Sequence, residues 1–161
     1  MSLKVIFGDL LQLANSGHFD VIVHGCNCHN TMGAGIALQI KNKYPQAYEA
    51  DLKTIKSDKN KLGNYTYAIA KNNAAVPGDF VIVNAYTQYN YNQSQYGSDE
   101  VLLDYHALQN VLEQIAQDFN GYKIGFPLIG CGLAGGDEKR VVSMITKELG
   151  NQDITIVKFD K

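Results

Sequence analysis

Within six positions the chain carries two imidazoles, two thiols and a carboxamide: His24, Cys26, Asn27, Cys28 and His29. An imidazole of ordinary pKa exchanges a proton near neutrality, a thiolate is a nucleophile or metal ligand, and an asparagine can anchor a hydroxyl. As a zinc set His24, Cys26, Cys28 and His29 match no standard finger spacing, and neighbouring side chains of an extended loop point apart, so no metal is expected. The same residues open a glycine-rich loop, Gly25 to Gly35, after the apolar run Asp20 to His24. A second such loop, Gly130 to Gly136, follows Lys123 to Ile129. Glycine permits a positive φ and close approach of the backbone to a ligand, and a helix starting just after such a loop directs unpaired NH groups and its positive dipole end at an anion. Two loops of this kind converging on one sheet edge can hold a diphosphate from both sides. Asp137, next after the second loop, is either an orienter of a catalytic group or a plain helix cap.

Charge sharpens this reading. The 161-residue chain has one arginine, Arg140, and a formal net charge of −2. Whatever binds an anion here must rely mainly on main-chain amides. At roughly 1.5 to 3 kcal/mol per charge-assisted hydrogen bond, several amides can supply the roughly 8 kcal/mol of a micromolar complex after association costs. The acidic balance argues against duplex nucleic acid as partner, and Lys53, Lys56, Lys59 and Lys61 read as a solvated charge run. No stretch approaches a membrane span and the N-terminus shows no secretory pattern, so a cytoplasmic location is expected. Three cysteines, Cys26, Cys28 and Cys131, sit in the glycine loops and form no spaced disulfide framework, which fits a reducing compartment.

The elements that must position these loops alternate between strand and helix. Leu3 to Phe7, Asp20 to His24 and Ile154 to Phe159 read as strands, and Asn64 to Ala70 with Phe80 to Tyr86 as an antiparallel hairpin. Ile36 to Tyr44 reads as a helix ended by Pro45, and Gln46 to Ser57 as a second. Val101, Tyr105, Leu108, Leu112, Ile115 and Phe119 recur at helical spacing, with Ser98 or Asp99 as expected cap. Asp137 opens a helix with Val141, Ile145 and Leu149 on one face, stopped by Gly150. Gln88 to Ser98, rich in Tyr, Asn and Gln, reads as a surface flap; tyrosines 86, 89, 91 and 96 stack on a ligand there or simply pack the flap. The sum is one domain over residues 1–161: a three-layer α/β/α sandwich on a central mixed sheet of about six strands, with a ligand at the carboxyl ends of strands.

Three motifs in order, Gly8-Asp9-Leu10, Val23 to Ala37 with Asn27 five residues before Met32-Gly-Ala-Gly-Ile-Ala37, and Pro127-Leu-Ile-Gly-Cys-Gly-Leu133, together resemble the macro domain family of ADP-ribose-binding proteins. The resemblance spans essentially the whole chain. The His24-x-Cys-Asn-Cys28 opening is most similar to the branch of ADP-ribose 1''-phosphate phosphatases and the related enzyme that removes ADP-ribose from protein glutamates. It implies that Asp9 accepts from the adenine amino group with the Leu10 NH beside it, that Asn27 holds the distal ribose, and that Gly33, Ala34, Gly35 and Ile36, with Met32 before them, face the diphosphate. Ile129, Gly130, Cys131, Gly132, Leu133, Ala134 and Gly135 correspond to the second phosphate loop, and Phe159 to a residue packing on adenine. Thr87 or Gln88 stands where the glutamate-specific relatives carry a lysine, and Ala134 where they carry an aspartate.

Those departures favour phosphate removal from ADP-ribose 1''-phosphate, with His24 as acid/base, His29 as its rival, Asn27 as ribose anchor, Asp137 as orienter, and no cofactor. The alternatives are a reader of ADP-ribose without turnover, and a hydrolase acting on O-acetyl-ADP-ribose or on ADP-ribosylated protein.

Overall fold

A computed structural model of the chain describes residues 3–71, 78–91, 101–132 and 134–159. Six strands form one sheet: β1 (Lys4–Gly8), β2 (Val21–Cys26), β3 (Tyr65–Ala70), β4 (Phe80–Tyr86), β5 (Ile124–Phe126) and β6 (Ile154–Phe159), in the order β1-β6-β5-β2-β4-β3. All neighbouring pairs are parallel except β3 with β4, which is the antiparallel hairpin expected from the sequence. The apolar runs at β2 and β4 are continuous because both faces of these central strands are covered.

Side-chain alternation sends Val21 and Val23 to one face and Ile22 to the other. The first face joins Ile124, Phe126, Ile154 and Ile156 beneath α4 (Tyr105–Asp118) and α5 (Glu138–Leu149), which contribute Leu108, Leu112, Val141 and Ile145. The opposite face packs Ile22, Ile82 and Val157 against α1 (Leu10–Asn15), α2 (Gly35–Lys43) and α3 (Pro45–Leu52), through Leu10, Ile40 and Ala47. Helices on both faces of a mixed sheet make the three-layer sandwich.

One helix was not anticipated and two expectations are corrected. The short helix α1, capped by Asp9 at Gln12 N (3.1 Å), has too few residues to show a periodic pattern. The helix expected to run to Ser57 ends at Leu52 and gives way to a 3-10 turn at Lys59–Lys61. Helix α4 begins at Tyr105 with Asp104 as cap, its carboxylate accepting from Ala107 N at 3.0 Å; Ser98 and Asp99 lie outside the described residues. Val101 and Leu102 continue the apolar pattern upstream of the cap, which is why periodicity alone started the helix early.

Candidate functional site

Because five strands are parallel, the segments leaving their carboxyl ends line one edge of the sheet. The connection from β2 departs towards β3 and β4, whereas that from β5 departs towards β6. Connections leaving in opposite directions open a crevice between the two strand ends, the usual ligand position on such a sheet. The crevice is a cavity of about 690 Å³ lined by Gly25, Cys26, Asn27, Thr31, Gly33 to Ala37, Gln88, Tyr91, Pro127 to Gly130, Gly132 and Ala134. The two glycine loops therefore face each other across it. A smaller depression of about 350 Å³, between α4 and Leu62–Asn64, is lined by polar side chains such as Asn110 and Gln114 and touches neither loop.

Helix α2 starts in the cavity wall. Its cap residue, Ala34, is extended and offers no side-chain acceptor. The first amides of the helix are thus unsatisfied by any cap, and Gly35, at φ 58°, turns the chain into the helix where a side chain would be strained. On the other wall Gly130 has φ 75°, and a Cβ there would meet Leu103 Cδ1 at 2.6 Å. The loop closes on itself through Gly136 N to Gly130 O (2.7 Å).

Asn27 is the polar side chain between the walls, 8% exposed. Its amide donates to Thr31 O (3.1 Å) and Thr31 Oγ1 (2.8 Å), and its Oδ1 accepts from His29 N (2.8 Å). Both amide protons are spent inside the loop, so what Asn27 has left to offer a ligand is the second lone pair of Oδ1.

Of the residues singled out from the sequence, Asn27, Gly33, Ala34, Gly35, Ile36, Ile129, Gly130, Gly132 and Ala134 line the cavity. Leu133 lies outside the described residues. His24 does not reach it. Its ring is fully buried beneath α3, with Nε2 2.7 Å from Asn84 Oδ1 and 3.6 Å from Cys26 Sγ. Desolvation lowers its pKa to about 4, against the smaller opposing effect of the Asn84 bond, so at pH 7 it is a neutral structural group. Asp137 is exposed and spends its carboxylate on Lys139 N (3.0 Å), the cap of α5. Met32 is buried with Cys26, Cys28 and Tyr86. Thr87 is fully buried and, like Cys131 and Gly135, lies outside the lining. The Cys131 thiol is pushed up to about 11, chiefly by burial, and burial likewise raises that of Cys28 to about 11.

His29 is half-buried, clamped between Ser57 Oγ (2.7 Å) and Asn90 Oδ1 (3.1 Å) with Tyr89 edge-on at 4.5 Å. Tyr86 is buried and donates to Asp51 Oδ1 (2.7 Å), Tyr91 lines the cavity, and Tyr96 lies outside the described residues. Asp9, Leu10 and Phe159 stand further along the same edge, where Gly8 pairs in register with Phe159. Leu10 is buried, and Phe159 is 65% exposed beside Asp9. Sequence reasoning passed over Thr31, Gln88, Pro127 and Leu128 as lining residues, and of these Gln88 had a signal, its place in the tyrosine-rich segment after β4; Tyr91, one of the tyrosines read as stacking on a ligand or packing the flap, lines the cavity.

Among the described residues no Lys, Arg, His, Asp or Glu side chain lines the cavity. Arg140 lies instead over the Tyr105 ring, 3.6 Å from its centroid. Nor does any group of three His, Cys, Asp or Glu residues among them have the geometry to hold a metal ion, and no described helix is long and apolar enough to cross a membrane. The wall is made of main chain, small apolar side chains and a few neutral polar ones.

Residues 23–145 match the family model of the macro domain. Over 99% of its length the chain is 31% identical to an uncharacterised 17.5 kDa protein of enterobacteria phage T4, of which the match covers 98%. A shorter stretch, 29% of this chain and 22% of the relative, is 43% identical to an ADP-ribose 1''-phosphate phosphatase of Aspergillus oryzae. The structure of Thermosipho africanus DarTG in complex with ADP-ribose has the same fold at a TM-score of 0.71 and 16% identity, over 98% of this chain and 42% of that one.

Proposed function

The chain belongs to the macro domain family, and from that premise we propose that its cavity binds ADP-ribose and that a phosphate on the distal ribose is the group it removes. The observation that carries the reading is the convergence of two glycine loops on one crevice with no basic side chain in its described wall. A diphosphate lies between the uncapped start of α2 and the Gly130 loop, where main-chain amides and the helix dipole meet its charge. The adenine end extends along the sheet edge towards Asp9 and Phe159. Asp9 Oδ1 already accepts from Gln12 N, which leaves the rest of the carboxylate to accept from an exocyclic amine. The distal ribose sits at Asn27.

In the hydrolytic step water attacks phosphorus, the bond from phosphorus to the anomeric oxygen breaks, and the water proton passes through a phosphate oxygen to the departing ADP-ribose. Loop amides stabilise the charge that develops on phosphorus, and Asn27 orients the ribose. Support for this ester comes from the partial likeness to the Aspergillus phosphatase. The second reading, ADP-ribose recognition without turnover, is favoured by one observation: no described side chain in the cavity wall is an evident proton carrier.

Calorimetry with ADP-ribose, ATP and AMP tests recognition, and release of phosphate from ADP-ribose 1''-phosphate or of ADP-ribose from modified protein tests turnover. A Cβ at Gly33 meets nothing within 4 Å, so Gly33→Val should fold normally while filling the space of the diphosphate. The expected result is a loss of affinity of at least about tenfold with unchanged stability. Equal heats for wild type and Gly33→Val would remove the cavity from the reading.

A further inference from the structure

Lys61 was expected to be a solvated lysine, and it is instead 8% exposed. Its Nζ donates to Asn30 Oδ1 at 2.6 Å and Thr54 Oγ1 at 3.0 Å, and lies 5.3 Å from the centroid of the Tyr86 ring. Among the described residues it forms no ion pair within 4 Å, although the buried carboxyl of Asp51 is close enough to interact with it through space. Asp51 Oδ2 has no hydrogen-bond partner. A buried ammonium is normally held by a carboxylate. Here it is directed at a carboxamide.

That carboxamide belongs to Asn30, which sits in the left-handed region at φ 58°. Asn30 is gripped at every polar atom given a partner: Nδ2 donates to Thr54 O (3.1 Å), the main-chain O accepts from Tyr48 OH (3.2 Å), and Oδ1 faces Lys61. Thr54 has a single hydroxyl proton, and its 2.6 Å bond to Asp51 O is much shorter than its 3.2 Å approach to Asn30 Oδ1. The ammonium, at 2.6 Å, is thus the closer donor to Asn30 Oδ1. Asn30 lies between Asn27 and Thr31, the residues whose mutual hydrogen bonds set the orientation of the Asn27 amide in the cavity wall.

We infer that Lys61 is a positioning residue for the ribose-binding loop: its buried ammonium locks Asn30, and through Asn30 the Asn27–Thr31 segment, in the conformation that receives the ligand. This rests on the reading that the cavity takes ADP-ribose at Asn27. It assigns a positioning role to a residue outside the cavity, on the 3-10 turn 59–61, and predicts that affinity falls together with a local loosening of residues 28–31. Removing the ammonium alone leaves the buried Asp51 carboxyl without its counter-charge and Asn30 Oδ1 without its closest donor, which lowers stability, and a loop released from its clamp loses its preorganised geometry as well.

The test uses Lys61→Met, Asn30→Gly and the double variant. Glycine adopts the backbone angle of residue 30 freely, so Asn30→Gly removes the clamp without strain. Expected are a lower urea midpoint for Lys61→Met, faster hydrogen exchange in the ligand-free protein concentrated at amides 28–31, and about tenfold weaker ADP-ribose binding in each single variant under conditions where both are folded. The double variant should be no weaker than either single one, because both remove the same contact. Additive losses, or unchanged exchange and affinity in Lys61→Met, would overturn the inference. If Lys61→Met fails to fold, Asn30→Gly carries the exchange and binding measurements. Absence of ADP-ribose binding by the wild type sinks the functional reading instead, and the exchange data on ligand-free protein still decide whether Lys61 holds the loop.

Discussion

At the residue scale the site separates groups that look reactive from groups that are reachable. His24 has the right chemistry and the wrong place. Its folded pKa of about 4 lies below the unfolded value of 6.5, so between these limits the unfolded chain binds the proton and the native one does not. The stability contribution is full above pH 6.5 and is lost as pH falls towards 4. By pH 4.5 the loss amounts to about 2.5 kcal/mol. His24→Gln keeps a donor for Asn84 Oδ1 and cannot titrate, so its urea-unfolding free energy should fall less than that of wild type between pH 7 and 4.5, by about this amount. The same variant should keep phosphate release within about threefold, where loss of a general acid or base would cost a hundredfold or more. Equal pH slopes, or a collapse of turnover, would return the histidine to the chemistry.

At the element scale the helix starts do different work. The start of α2 is uncapped and opens into the cavity, whereas α4 and α5 are closed by Asp104 and Asp137. An uncapped start that opens into a cavity leaves donors for a ligand. Asp137 also donates its own N–H to the Tyr105 hydroxyl oxygen (2.8 Å), and Tyr105 carries Arg140 on its ring, so the α5 start is tied to the α4 start. Asp137→Ala should therefore cost about 1 kcal/mol of stability, a drop in Tm of roughly 2 to 4 °C, with ADP-ribose affinity unchanged. A thermal melt paired with calorimetry checks it; loss of binding without loss of stability would make Asp137 part of the site.

At the scale of the whole molecule, a chain of net charge −2 is assigned an anionic ligand in a cavity whose described wall holds no lysine or arginine. The attraction is short-ranged, from amide dipoles at contact distance, and not from a field that counter-ions screen. Raising salt from about 0.05 to about 0.5 M should weaken ADP-ribose binding by less than about threefold, in contrast to the steep dependence of sites built on clustered basic side chains. Calorimetry across that range is the check, and a tenfold or greater loss would point to cationic side chains in the grip. The parallel strand order also spreads the site: with strands about 4.8 Å apart, Asp9 after β1 and Gln88 after β4 are separated by about 19 Å of sheet edge, room for an extended dinucleotide-like ligand.

Local patterns were enough to place the sheet, the hairpin and both glycine loops. Continuous apolar runs mark buried strands, Asn-Asn and Pro-Gly interrupt them, and glycine between strand and helix marks where backbone must approach a ligand. The order of motifs likewise carried the family. What the sequence left open was which side chains meet. Alternation put His24 on the face beneath α3 and brought Gly25 and Asn27 to the cavity, and only the packing of the helices decides which face is solvent. Lys61 reads as one more lysine in a charged run until the fold encloses it, because burial is a property of neighbours distant in the chain. Asp137 reads equally as cap or catalyst until its carboxylate is seen bonded to Lys139 N. Residue type sets what a group can do, and tertiary structure sets its solvent, its partners and hence its pKa.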